Sequence, residues 1–128
     1  MHFYHTTLTD KPFEDTVVAV TEALKKEGFG VLTHIDIAAK LKEKIGVDMR
    51  RYVILGACNP PLANRALKIE NKIGVMLPCN VIVQETENGQ IEVSSIDPMA
   101  SMAAVGNTSL TAVAEEVSQK LQRVITSL

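Results

Sequence analysis

Two stretches of this 128-residue chain have no side that suits water. In Tyr52-Val53-Ile54-Leu55-Gly56-Ala57, part of a strand read from Arg51 to Cys58, only the tyrosine carries a polar group. Val81-Ile82-Val83 repeats the pattern within a second strand read from Met76 to Glu85. Successive side chains of a strand point to opposite faces, so a sheet with one wet face alternates apolar and polar residues. These two strands need covering on both sides. The short helices of the same chain would do it, and so would a second copy. A symmetric dimer is the expected contributor, because a self-complementary patch is the commonest way to bury such a surface.

The rest of the pattern supplies the neighbours. His2 to Leu8 reads as a strand. Pro12 then suits a helix start, where no N–H is missed, and Phe13, Val17, Val20 and Leu24 recur at helical spacing up to Gly28. A second strand runs from Phe29 to Ile35, and Asp36 caps a short helix from Ile37 to Ile45. Asn59 caps another helix, with Pro60 in its first turn. Asn88-Gly89 is a strong hairpin signal and pairs Ile91–Ile96 antiparallel with the preceding strand. Asp97-Pro98 ends that strand, and Met99 to Val105 is either a helical turn or a compact loop. Asn107 caps a last helix with the stripe Leu110, Val113, Val117, Leu121, Val124 and Leu128. The order β-α-β-α-β-α-β-β-α predicts an α+β fold, one domain over residues 1–128, with helices mainly on one face of a twisted sheet.

Composition narrows the class. With 46% hydrophobic and 22% charged residues the chain is globular rather than disordered. Its apolar runs are too short for a membrane span, and the start at Met1-His2-Phe3 lacks the features of a signal peptide. Two cysteines in that context read as reduced thiols in the cytoplasm. Net charge is −2, but residues 73–119 carry six acidic groups and no Lys or Arg, leaving +4 elsewhere. Lys40, Lys42, Lys44, Arg50 and Arg51 cluster around the second helix, interleaved with Glu43 and Asp48. That mixture is expected to be a solvated face, and nucleic acid is not an expected partner.

The candidate site is a doubled motif. Cys58-Asn59-Pro60 ends one strand and Pro78-Cys79-Asn80 opens the next. If the strands lie side by side, two thiols and two carboxamides gather at one end of the sheet. Cys58 also precedes a helix start, where free N–H groups and the dipole favour an anion and can activate a thiol. The bland alternative makes both cysteines small core residues and both asparagines caps. Asp97 is a further candidate, as ligand group or proton carrier. No metal is expected, since Cys-x-x-Cys and His-x-x-x-His spacings are missing; His2, His5 and His34 have ordinary surface roles. No phosphate loop or Gly-x-Ser-x-Gly elbow occurs, and Gly28-Phe29-Gly30 runs from helix to strand, the reverse of a dinucleotide site. The motifs name no cofactor.

Gly28-Phe29-Gly30-Val31-Leu32-Thr33, Tyr52 to Pro60, Leu77-Pro78-Cys79-Asn80-Val81 and Ile96-Asp97-Pro98-Met99 together resemble the prokaryotic family known as domain of unknown function 302. The resemblance covers nearly the whole chain. It implies a TBP-like α+β fold, a curved antiparallel sheet with two long helices, and a homodimer, and it supplies no activity. The expected function is a non-enzymatic binding or sensing domain for a small polar or anionic ligand, held by Cys58, Asn59, Cys79, Asn80 and Asp97. The alternatives are a thiol-dependent enzyme using Cys58, although no His is paired with it locally, and a structural dimer with packed cysteines. Whether the chain is an enzyme stays open.

Overall fold

The computed structural model describes residues 2–128. Five strands, β1 (Tyr4–Thr9), β2 (Gly30–Asp36), β3 (Tyr52–Cys58), β4 (Cys79–Glu85) and β5 (Ile91–Ile96), form one sheet in the order β1-β5-β4-β3-β2. Every neighbouring pair is antiparallel. Helices α1 (Phe13–Lys26), α2 (Ile37–Ile45), α3 (Pro60–Ile69), α4 (Pro98–Ala103) and α5 (Thr111–Thr126) complete the α+β fold. The two long helices, α1 and α5, lie against one face of the sheet and against each other.

That face is the core. Val53, Leu55 and Ala57 of β3, Val81 and Val83 of β4, and Ile91 and Val93 of β5 meet Val20 and Leu24 of α1 and Val113, Val117, Leu121 and Val124 of α5. Each large apolar side chain removed from water there contributes roughly 1.5–3 kcal/mol. Helix α1 also buries Thr16, whose hydroxyl donates to the Pro12 carbonyl at 2.9 Å. It stops at Gly28, which takes φ +85°, while the amides of Gly28 and Phe29 close back onto the carbonyls of Lys25 and Leu24.

Several boundaries differ from the sequence pattern. Strand β1 begins at Tyr4 rather than His2, and β4 begins at Cys79 rather than Met76. The segment before β4 instead makes a 3-10 turn at Ile73–Met76 and a cis Leu77–Pro78 bond. Asn107 caps a 3-10 turn, Thr108–Leu110, that leads into α5, and the stretch after Asp97, ambiguous in sequence, forms α4.

The second face of the central strands is only partly covered by the chain's own helices: α2 touches β3, yet Ile54 and Ile82 stay half-exposed. Helix α2 buries none of its residues, and α3 packs towards α5 on the core side. Tyr52, Ile54 and Ile82 are therefore half-exposed on an open sheet face. The basic residues around α2 do behave as a solvated face: Lys40 pairs with Glu43, Lys42 with Asp48 and Arg51 with Glu14, while Arg50 donates to Gln84.

Candidate functional site

Strands β3 and β4 run side by side, with Ala57 as the register partner of Cys79. Cys58 lies one residue beyond Ala57, where the chain leaves the sheet for α3. Cys58 and Cys79 both border one cavity of about 280 Å³, bounded by the ends of these strands, α3, α4 and α5, although pleating turns the Cys58 side chain to the face opposite Cys79. Leu62, Ala63 and Ala66 come from α3, Val113 and Val117 from α5, and Met102 from α4. Leu32 stands at the rim and is 67% exposed. A register shift between Val31 and Thr33 leaves it unpaired in the edge strand β2.

The walls are almost wholly apolar. Asn59 is the one polar residue among them apart from the thiols, and its carboxamide is already committed. Its Oδ1 accepts from the Leu62 amide at 3.3 Å, and its Nδ2 donates to the Glu27 carbonyl at 3.2 Å. One side chain thus caps the start of α3 and ties down the end of α1. The helix mouth itself has no amide to spare. Pro60 and Pro61 carry no N–H, the Leu62 amide goes to the Asn59 side chain, and the Ala63 amide goes to the Asn59 carbonyl at 2.9 Å. The amides expected to hold an anion at this helix start are therefore already bonded or missing.

Burial pushes the Cys79 thiol up to about 11, with a smaller push from neighbouring Cys58. Cys79 is consequently a poor nucleophile at neutral pH. Cys58 is less buried than its neighbour, and both are free thiols.

The other two predicted site residues lie elsewhere. Asn80 follows Cys79 in the same strand and so points to the open face, where it lines a separate cleft with Tyr52, Ile82 and Gln84. Asp97 caps α4, accepting from the Met99 amide at 3.0 Å. It also accepts from the Ser118 hydroxyl at 2.8 Å, and His5 Nε2 lies 3.3 Å from the same hydroxyl. This Ser-His-Asp trio is not wired for nucleophilic attack. The serine proton goes to the carboxylate, and the histidine does not stand between the two. Sequence reasoning missed His5 and Ser118 as partners of Asp97 because they are more than 20 residues away. It missed Met102 because Met99 to Val105 suits a turn as well as a helix. Among the described residues no group of three or more His, Cys, Asp or Glu side chains gathers around a point, and no helix is long and apolar enough to cross a membrane.

Fold and site together define a class: a small α+β domain with an open antiparallel sheet, two long backing helices and a thiol-bearing apolar cavity at the strand ends. Residues 4–128 match the model of the family described as "Domain of unknown function DUF302", and the chain belongs to that family. It is similar to an uncharacterized protein of Aquifex aeolicus (strain VF5), 26% identical over 86 residues that make up 67% of this chain and 54% of that one. The match therefore spans about half the length of that relative. Among solved structures it resembles the crystal structure of an uncharacterized conserved protein, DUF302, from Bacillus stearothermophilus. There the TM-score is 0.92 at 31% identity, over 98% of both chains.

Proposed function

We propose that this chain is a non-enzymatic binding or sensing domain of the cytoplasm, working through the cavity beside Cys58 and Cys79. The observation that carries the reading is the cavity itself. At about 280 Å³ it lies at the lower edge of ligand-pocket sizes, is walled by apolar side chains, and is bordered by both cysteines. A small apolar molecule, or one with a soft thiol-seeking group, matches that lining. Catalysis through Cys58 has less support, because no His, Asp or Glu lines the cavity to carry a proton.

The test uses indole as a cavity-sized probe and iodoacetamide as a reporter of Cys58. Indole slows alkylation of Cys58 in the native protein and raises Tm, and Ala63→Phe, which projects a ring into the cavity, abolishes both effects. Unchanged alkylation and Tm at millimolar indole would remove the reading.

A homodimer through the open sheet face belongs to the same proposal. Ile35, Ile54 and Ile82 are register partners across β2, β3 and β4, and form an apolar row on that face. A second copy laid on the row would cover the side that the chain's own helices leave open. Light scattering at micromolar concentration should give twice the monomer mass, reduced to one by Ile82→Glu; a monomer mass for the unaltered protein refutes this part.

A further inference from the structure

Ser94 stands on the open face of the sheet, yet it is only 9% exposed. Its register partners are Ile82 of β4 on one side and Thr6 of β1 on the other. Pleating sets Glu92 and Ile96 on the same face of β5, before and after it. Longer side chains thus wall in a short one, and the result is a cleft of about 400 Å³ over β1, β5 and β4. Asn80, Gln84 and Tyr4 also line it. None of these residues borders the cavity beside Cys58 and Cys79.

The hydrogen bonds within this cleft fix which partners its floor can take. The Thr6 hydroxyl donates to the Val93 carbonyl at 3.2 Å, so in its 2.8 Å bond with Ser94 it is the acceptor. Ser94 therefore spends its one proton on Thr6 and turns lone pairs to the cleft. Gln84 is committed at both ends: Arg50 Nε donates to its Oε1 and its Nε2 donates to Glu92 Oε1, each at 2.9 Å. The second carboxylate oxygen of Glu92 has no partner among the described residues, and no Lys, Arg or His among them forms an ion pair with it. Both fixed groups in the middle of the cleft, the Ser94 hydroxyl and the Glu92 carboxylate, are thus acceptors, and one is an anion.

An acceptor pair of that charge calls for a cationic donor. An ammonium group carries several N–H donors and a full positive charge, and its bond to a carboxylate is charge-assisted. The other walls suit the carbon frame of such a molecule: Ile82 and Ile96 are apolar, and Tyr4 adds a ring face that attracts a cation. We propose that this cleft binds a small organic cation, a primary amine held by Glu92 and Ser94 with its carbon skeleton against Ile82, Ile96 and Tyr4. The site is independent of the cavity between the strand ends and the helices. It also leaves room for a second copy, because the isoleucine row runs over β2, β3 and β4 and meets the cleft only at Ile82.

The experiment titrates the full-length protein with phenethylamine and, in parallel, with 2-phenylethanol, which keeps the skeleton and replaces the ammonium by a hydroxyl. Amide chemical shifts locate the probe, and calorimetry gives its affinity. Phenethylamine at millimolar concentration is expected to move the amide signals of Asn80, Glu92 and Ser94, and to bind at least about 10-fold more tightly than the alcohol. Glu92→Gln keeps an acceptor for Gln84 and should weaken the amine about 10-fold while leaving the alcohol unchanged. Ser94→Ala should weaken it by a smaller factor. Glu87→Gln, in the β4–β5 turn outside the cleft, should change nothing, which separates the site from the general acidity of this part of the chain. The proposal is overturned if amine and alcohol bind alike, if Glu92→Gln binds the amine as well as the unaltered protein does, or if no signal of the cleft moves. Shifts confined to the surroundings of Cys58 and Cys79 would also overturn it, while leaving the reading of that cavity in place. Amine binding in the cleft of a protein that shows no indole effect would support this site and remove the other.

Discussion

Replacing Asn59 tests whether the second residue of the first Cys-Asn motif holds the fold or holds a ligand. The side chain is only 9% exposed and makes two bonds, one to each of two helices. Loss of an asparagine N-cap costs typically about 1 kcal/mol, and loss of the bond to the Glu27 carbonyl about another 1. Asn59→Ala should therefore lower stability by about 2 kcal/mol, equivalent to roughly 6–10 °C in Tm for a domain of this size. Asn59→Asp separates the two parts. Its carboxylate still accepts from Leu62 and suits a helix start, but it cannot donate to Glu27, so a loss of about 1 kcal/mol is expected. Urea unfolding with an unchanged slope reads both values. Because the carboxamide faces protein groups with both ends, indole protection of Cys58 should survive in folded Asn59→Ala. A loss below about 0.5 kcal/mol, or a stable variant that no longer binds the probe, would refute the argument and return Asn59 to the ligand.

Cys79 should alkylate far more slowly than an ordinary thiol: a thiol held near 11 carries about 100-fold less thiolate at pH 8 than one near the unperturbed value of about 8.5–9, and rapid equal labelling of both cysteines would contradict the burial. Stability should follow the same group, present in full below about pH 8.5–9 and falling by roughly 2–3 kcal/mol as pH rises through about 11, because the unfolded chain gives up the proton first; Cys79→Ala should flatten that part of the pH profile. Gly56→Ala should cost about 1–3 kcal/mol by urea unfolding, since a Cβ there would lie 2.2 Å from Thr33 Oγ1 and 2.8 Å from the Pro78 ring; adding Thr33→Ala should recover only part of it, because the ring stays in place. Ser118→Ala should cost about 1–2 kcal/mol by the same assay through the lost donor to Asp97, leaving thiol labelling of the cavity unchanged.

Local chemistry made most of the architecture legible. The stripe read for the last helix is buried from Leu110, in the turn before α5, to Val124, and the Asn88-Gly89 signal sits in the β4–β5 connection. Asn59, Asp97 and Asn107 each cap the helical turn that begins at the next residue. Those rules act over three or four residues and need no tertiary partner. The site was legible in half. Adjacency of β3 and β4 could be guessed, and with it the placing of both cysteines at one end of the sheet. Yet strand alternation alone already forbids Cys79 and Asn80 from sharing a face, a consequence of pleating that the repeated Cys-Asn motif obscured. An anion was expected beside Cys58 because a helix start normally exposes amides. Pro60 and Pro61 remove two of them, and Asn59 takes up the next pair with its side chain and its carbonyl. What remained out of reach was the third dimension: no local rule brings Met102 over the strand ends or sets Ser118 beside Asp97.

The cavity is the feature that packing alone does not account for. Protein interiors fill to crystal-like density, with few voids larger than a water molecule. Ala57, Ala63 and Ala66 line it where a Val or Leu would add buried apolar area and stability. The small residues stand on β3 and α3, the two elements joined by Cys58 and Asn59, so the space opens where the thiols reach it. By contrast, the Asp97 cluster has each polar group bonded to a neighbour, and the basic face of α2 is balanced by its own acids. A fold shaped by stability alone would close the one and keep the others. The space bordered by Cys58 and Cys79 is therefore where the proposed function is tested first.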